Sequence, residues 1–161
     1  MTQLSAKAIY QANLDHVSEA VWSRDWDELV NQFVFPLVIR TLDTGSHITL
    51  PSQLVQTAQA FRDSLALASA QSYHRVCIEA QFSNPETTII IGQHRTIALR
   101  GGSYVLPPFE SDMRLELRTG QWLTGSLFAR VNNHDLTVVS PELARFSKQD
   151  LDNDRFLDAQ N

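Results

Sequence analysis

Histidine, tyrosine and tryptophan side chains carry most of the potential chemistry in this sequence. The five histidines are His16, His47, His74, His94 and His134. No two of them stand three or four apart in a helical stretch or two apart in a strand, so none forms a local ligand pair and no metal site is expected. His94 stands out. It lies in Ile91-Gly92-Gln93-His94-Arg95-Thr96, a polar break between Ile89-Ile90-Ile91 and Ile97-Ala98-Leu99. A polar group in an otherwise apolar strand must be hydrogen-bonded or it costs free energy. Facing a cavity, an imidazole with a reference pKa of about 6.5 serves as general base or as hydrogen-bond donor, which makes His94 the candidate catalytic residue. The competing reading is a satisfied structural or interface histidine.

Four aromatic residues join His94 as candidate ligand contacts: Tyr10, Trp26, Tyr104 and Trp122. Each has a plain alternative in core packing, with Tyr10 on the inner stripe of a helix and its hydroxyl seeking a partner. Arg40 fits an anionic ligand or an ion pair with a carboxylate at the sheet edge. Cys77 is the sole cysteine, which excludes an internal disulfide and a cysteine-rich zinc site; it reads as a small buried apolar residue. There is no phosphate-cradling glycine loop, no dinucleotide fingerprint and no Gly-x-Ser-x-Gly elbow. Kinase, nicotinamide dehydrogenase and serine hydrolase readings fall away, and no cofactor is expected.

These residues need a scaffold. With 161 residues and an apolar share of 43%, the chain is long enough for one domain with a sizeable core. Its net charge of -5 leaves lysine and arginine scattered singly, so no nucleic-acid partner is expected. The N-terminus lacks the apolar core of a secretory signal, and no apolar run is long enough to span a bilayer. The expectation is a soluble, cytoplasmic protein with no membrane partner.

The periodicity places the first helix over about Ser5 to Ser23, with Ala6, Tyr10, Leu14, Val17 and Val21 on one stripe. Asp25 reads as the N-cap of a second helix, with Trp26, Leu29, Val30 and Phe33 as its apolar face and Pro36 as its stop. A hairpin follows through Leu37–Leu42 and His47–Leu50, and Pro51-Ser52 opens a third helix with Leu54, Ala58, Phe61 and Leu65 on one face. The rest reads as strands over Tyr73–Phe82, Thr87–Leu99, Tyr104–Arg118 (broken at Pro107-Pro108), Gln121–Val131 and Leu136–Val139, with a short helix starting near Ser140. Residues 1–140 form the expected domain, and 141–161 a partly flexible C-terminal extension. Helices segregated before a long meander mean α+β: a cone-shaped, curved antiparallel sheet wrapped around three N-terminal helices. The helices cannot fill the wide end of such a cone, so a pocket is expected there. Alternation leaves open which strand face lines it. Ile89, Ile91, Ile97 and Leu99 share one face and Ile90 and Ala98 the other, which suggests that both faces are covered and favours a homodimer.

In its order of elements the chain resembles the nuclear transport factor 2-like superfamily, in particular its SnoaL-like branch. The resemblance is carried by the first helix, Asp25-Trp26-Asp27-Glu28-Leu29, the hairpin into Pro51-Ser52-Gln53-Leu54, and Leu115-Glu116-Leu117-Arg118-Thr119-Gly120-Gln121-Trp122, and it covers about residues 5–139. It implies a curved sheet around three helices, often paired into dimers through the sheet, in isomerases, dehydratases, cyclases and non-catalytic binding modules alike. Isomerase-like members place a carboxylate base in the strand after the second helix. Here that strand, Leu37-Val38-Ile39-Arg40-Thr41-Leu42, holds no acid, and Asp43 comes only at the turn. The leading expectation is therefore a domain that binds a small, partly apolar molecule in the cone. The alternatives are a cofactor-free isomerase or dehydratase using His94 with Tyr10, and a dimeric protein-interaction module.

Overall fold

A serine opens the first helix. In the structure, a computed structural model describing residues 4–145, the Ser5 hydroxyl accepts from the Ala8 N–H at 3.1 Å and caps α1, Ala6–Ser23. The predicted stripe of Ala6, Tyr10, Leu14, Val17 and Val21 is buried, and Arg24 ends the helix in the left-handed region at φ 60°. Asp25 caps α2, Trp26–Val30, by accepting from the Glu28 N–H at 3.3 Å. This helix is shorter than its apolar pattern predicts. Phe33-Val34-Phe35 already belongs to strand β1, Phe33–Arg40, and Pro36 sits inside that strand instead of stopping a helix. The aromatic and β-branched residues favour the extended chain. The β1 pairing shifts register between Phe33 and Val38, so the proline falls where no ladder hydrogen bond is required of it.

β2, Gly45–Ile48, completes the hairpin, and α3, Pro51–Leu67, follows. The Gln53 side chain accepts from the N–H groups of Thr49 and Leu50 at 2.8 and 3.1 Å, which holds the start of α3. The long strands are β3 (Ser72–Phe82), β4 (Ile89–Arg100), β6 (Phe109–Arg118) and β7 (Gln121–Ala129), with a two-residue β5 at Ser103–Tyr104. Leu136–Val139 is not a strand. The Asn133 side-chain oxygen accepts from the N–H groups of Val138 and Val139 at 2.8 Å each, doing locally what a neighbouring strand would otherwise do. Leu136, Val138 and Val139 are nonetheless buried in the core. After Ser140 the chain makes a turn, not a helix; of the expected flexible extension, residues 146–161 lie outside the described residues.

The strands form one curved, unclosed sheet in the order β2-β1-β7-β6-β4-β3, with β5 beside β4. One pairing departs from an all-antiparallel sheet: β1 runs parallel to β7. Parallel neighbours need a crossover, and the whole stretch from β2 to β6 supplies it. Irregularities between Cys77 and Glu79 and between Arg114 and Leu115 add the local bending that a wrapped sheet requires.

The facing of β4 is now decided. Ile90, Gly92, His94, Thr96 and Ala98 are buried against the helices, while Ile89, Ile91, Ile97 and Leu99 lie half-buried on the outer face. Two apolar clusters hold the inner face. One joins the end of α1 to α2, α3, β1 and β2 through Val17, Leu29, Leu54, Ile39 and Ile48; the other joins the start of α1 to the sheet through Tyr10, Leu14, Ile90 and Met113. His94 lies between them.

Candidate functional site

A strand glycine makes the site. A Cβ at position 92 would fall 2.5 Å from Tyr10 Cε2, so only glycine lets the Tyr10 ring lie directly on β4. That close approach carries the phenol two residues along the same face to His94, where the Tyr10 hydroxyl and His94 Nδ1 are 2.7 Å apart. Tyr10 is fully buried and His94 is 1% exposed.

Burial decides the charge state of both groups. It raises the Tyr10 phenol far above its usual range, against the opposing pull of the Arg75 charge, so the phenol keeps its proton. Burial also holds His94 well below the ordinary histidine value, and the positive charge of Arg75 pushes the same way, so the imidazole is neutral. The direction of the hydrogen bond follows. The Tyr10 hydroxyl has no other partner among the described residues, so accepting from Nδ1–H would leave its own proton dry and unbonded. Tyr10 therefore donates to Nδ1, and His94 carries its proton on Nε2. Nε2 has no partner among the described residues, and the His94 side chain lines a cavity of about 90 Å³.

That cavity lies within the larger apolar cluster. Val17, Leu29, Leu54, Phe61, Phe109 and Leu127 are among its apolar lining, and Thr57, Arg75, His94, Thr96 and Ser111 are polar members. No aspartate or glutamate lines it. Arg75 is the residue sequence reasoning missed. It is buried on the inner face of β3, with Nε donating to the Ser18 hydroxyl at 2.7 Å and Nη2 to the Leu14 carbonyl at 3.3 Å. Among the described residues it has no carboxylate partner. Alternation in Tyr73-His74-Arg75-Val76-Cys77 was the available signal: it puts Arg75 on the face of Tyr73 and Cys77, but that face was not known to be the inner one.

Of the predicted contacts, Tyr10 and His94 are brought together. Of the five, only His94 lines this cavity; Tyr10 reaches it through His94. Trp26 packs half-buried against the larger cluster, Trp122 lies 6.1 Å from the Phe82 ring beside the smaller one, and Tyr104 is 62% exposed on β5. Arg40 points to the outer face, 4.3 Å above the Phe128 ring. Cys77 pairs with His94 in register, and burial raises its thiol pKa. Asp43 is kept from the cavity by other work: its carboxylate accepts from the Thr41 hydroxyl at 2.7 Å and from the Asn133 N–H at 2.6 Å, tying the β1–β2 turn to the chain after β7. Among the described residues no three histidine, cysteine, aspartate or glutamate side chains converge to hold a metal, and no helix is long and apolar enough to cross a membrane.

No family model and no curated protein matches this chain. Solved structures do. A protein of unknown function with a cystatin-like fold from Nostoc punctiforme superposes with a TM-score of 0.62 at 10% identity, covering 81% of this chain and 96% of that one. A nuclear transport factor 2-like protein of unknown function from Shewanella oneidensis gives 0.59 at 12% identity, over 77% of this chain and 98% of that one. A function-unknown protein from Mycobacterium tuberculosis gives 0.60 at 13% identity, over 87% and 91%. At such identities the likeness speaks for the backbone alone, and with the curved sheet and three helices it makes one statement: this chain has the nuclear transport factor 2-like, cone-shaped α+β fold.

Proposed function

We propose that this is a SnoaL-like domain, residues 1–140 with a 141–161 extension, that binds a small, partly apolar molecule in its cone in the cytoplasm. The observation that carries the reading is the neutral His94 Nε2–H, left without a protein partner on a largely apolar cavity. A bound acceptor would give that donor a partner, worth about 0.5–1.5 kcal/mol for an ordinary hydrogen bond. The cavity is smaller than the roughly 150 Å³ that accommodates benzene, so a ligand held wholly inside has few non-hydrogen atoms. Titration of the isotope-labelled protein with small hydrocarbons bearing one polar group tests it. Saturable shifts centred on His94, Thr96 and Ser111 support the reading, and their absence for every probe removes it.

The enzymatic alternative, an isomerase or dehydratase, takes a specific form. With Nδ1 engaged by Tyr10, His94 offers a proton donor to a developing oxyanion and not the free lone pair of a resting base. A dimeric form is the second reading. The outer face of β3 and β4 carries Ile91, Ile97 and Leu99 half-buried, with Val76 49% and Ile78 40% exposed. The same face holds both charge signs, in Arg95–Glu110 and Arg114–Glu116, so it is complementary to a two-fold copy of itself. Light scattering on the purified protein tests this: a dimer that Val76→Glu dissociates supports it, and a monomer removes it.

A further inference from the structure

An arginine lines the cavity and no carboxylate does. Arg75 is 8% exposed and shares the cavity wall with His94, Thr96 and Ser111. Two of its N–H groups are occupied, one by the Ser18 hydroxyl and one by the Leu14 carbonyl, both uncharged acceptors. A buried guanidinium without a counterion is costly to keep, and a carboxylate is the partner that matches its planar fork. The nearby polar groups point to the same chemistry. His94 presents Nε2–H, and Thr96 and Ser111 bring hydroxyls that have no protein partner among the described residues. Asp112, next along β6, lies on the outer face and is paired with Arg130, so it does not neutralise Arg75.

We infer that the ligand is a small organic carboxylate, its charged end between Arg75 and the Nε2–H of His94 and its short hydrocarbon part against Val17, Leu54, Phe61 and Phe109. The inference rests on the reading of the cone as a binding cavity and adds the chemical class. An inorganic anion would leave that apolar wall unfilled. A neutral isostere would leave the guanidinium uncompensated.

The test compares isobutyrate, its neutral isostere isobutyramide, and inorganic phosphate on the full chain near neutral pH, by calorimetry and by shifts of the cavity residues. The expected result is saturable binding of isobutyrate, with isobutyramide and phosphate each at least about ten-fold weaker. Arg75→Gln should erase the preference for the acid, while Arg75→Lys should retain part of it. Isobutyramide binding as tightly as isobutyrate overturns the carboxylate assignment and leaves the binding cavity standing. Failure of both organic probes overturns the two readings together, and tighter binding of phosphate overturns the organic class. If Arg75→Gln does not fold, the comparison of acid with amide on the unaltered chain still decides.

Discussion

Replacing Gly92 with alanine should separate Tyr10 from His94 and cost far more than a single methyl group suggests. The new Cβ would stand 2.5 Å from Tyr10 Cε2, 2.8 Å from Cδ2 and 2.9 Å from the Glu79 carbonyl oxygen. Carbon atoms rest about 3.5–4.0 Å apart, so the ring must retreat by about 1 Å. The Glu79 carbonyl belongs to the paired backbone of β3 and cannot yield as a side chain does. A retreat of that size stretches the 2.7 Å bond between Tyr10 and His94 past hydrogen-bonding range. Overpacking costs about 1–3 kcal/mol, and stranding a buried donor and acceptor adds a similar amount. Alanine recovers about 0.5–1 kcal/mol through its lower backbone entropy. The net loss is about 1–5 kcal/mol, a fall in Tm of about 2–20 °C for a chain of this size. Urea and thermal unfolding followed by circular dichroism measure it. The mechanism has its own check, because in a Tyr10→Ala background only the contact with the Glu79 carbonyl remains and the added cost of Gly92→Ala should be clearly smaller. A Gly92→Ala protein as stable as the parent, or an equal cost in both backgrounds, would refute the reasoning.

Further predictions follow from the same geometry. Long-range proton–nitrogen spectra of the native protein should show His94 neutral and protonated on Nε2; a proton on Nδ1 would reverse the assignment of Tyr10 as donor. Tyr10→Phe removes that donor and should cost about 1–3 kcal/mol by leaving Nδ1 dry, seen as a lower urea midpoint. Because folding depresses the His94 pKa, its contribution is fully present above the unfolded value of about 6.5 and is lost as pH falls below it. Urea midpoints at about pH 8 and about pH 5.5 should therefore fall more steeply for the parent than for His94→Gln, and parallel slopes would count against a buried neutral imidazole. Asp43→Ala should loosen the link between the β1–β2 turn and Asn133, lowering stability by about 1 kcal/mol in the same assay.

Where local rules dominate, residue order was a sound guide. Ser5 and Asp25 start helices because their side chains accept from the N–H three residues on, and the α1 stripe is buried because steps of three and four lie on one helical face. Local reasoning failed where a distant residue does the work. Phe33-Val34-Phe35 entered the sheet because β7 was there to receive it, and Leu136–Val139 gave up strand geometry because Asn133 met its N–H groups first. The parallel pairing of β1 with β7 joins segments far apart in the chain, and no adjacent turn specifies it.

The candidate site divides in the same way. His94 was visible as a polar break in an isoleucine-rich strand, and Tyr10 as the aromatic member of a buried stripe. Both are properties of neighbouring residues. Their contact spans 84 positions and depends on the space that Gly92 leaves on β4. Arg75 is an ordinary strand arginine until α1 covers that face and supplies Ser18 and Leu14 in place of a carboxylate. Sequence alone determined where the helices start and which long stretches are strands, because capping and periodicity act within a few residues. Only the tertiary structure decided which face of the sheet is inside, and with it which polar groups share the cavity, because burial is a property of what packs above a residue and not of the residue itself.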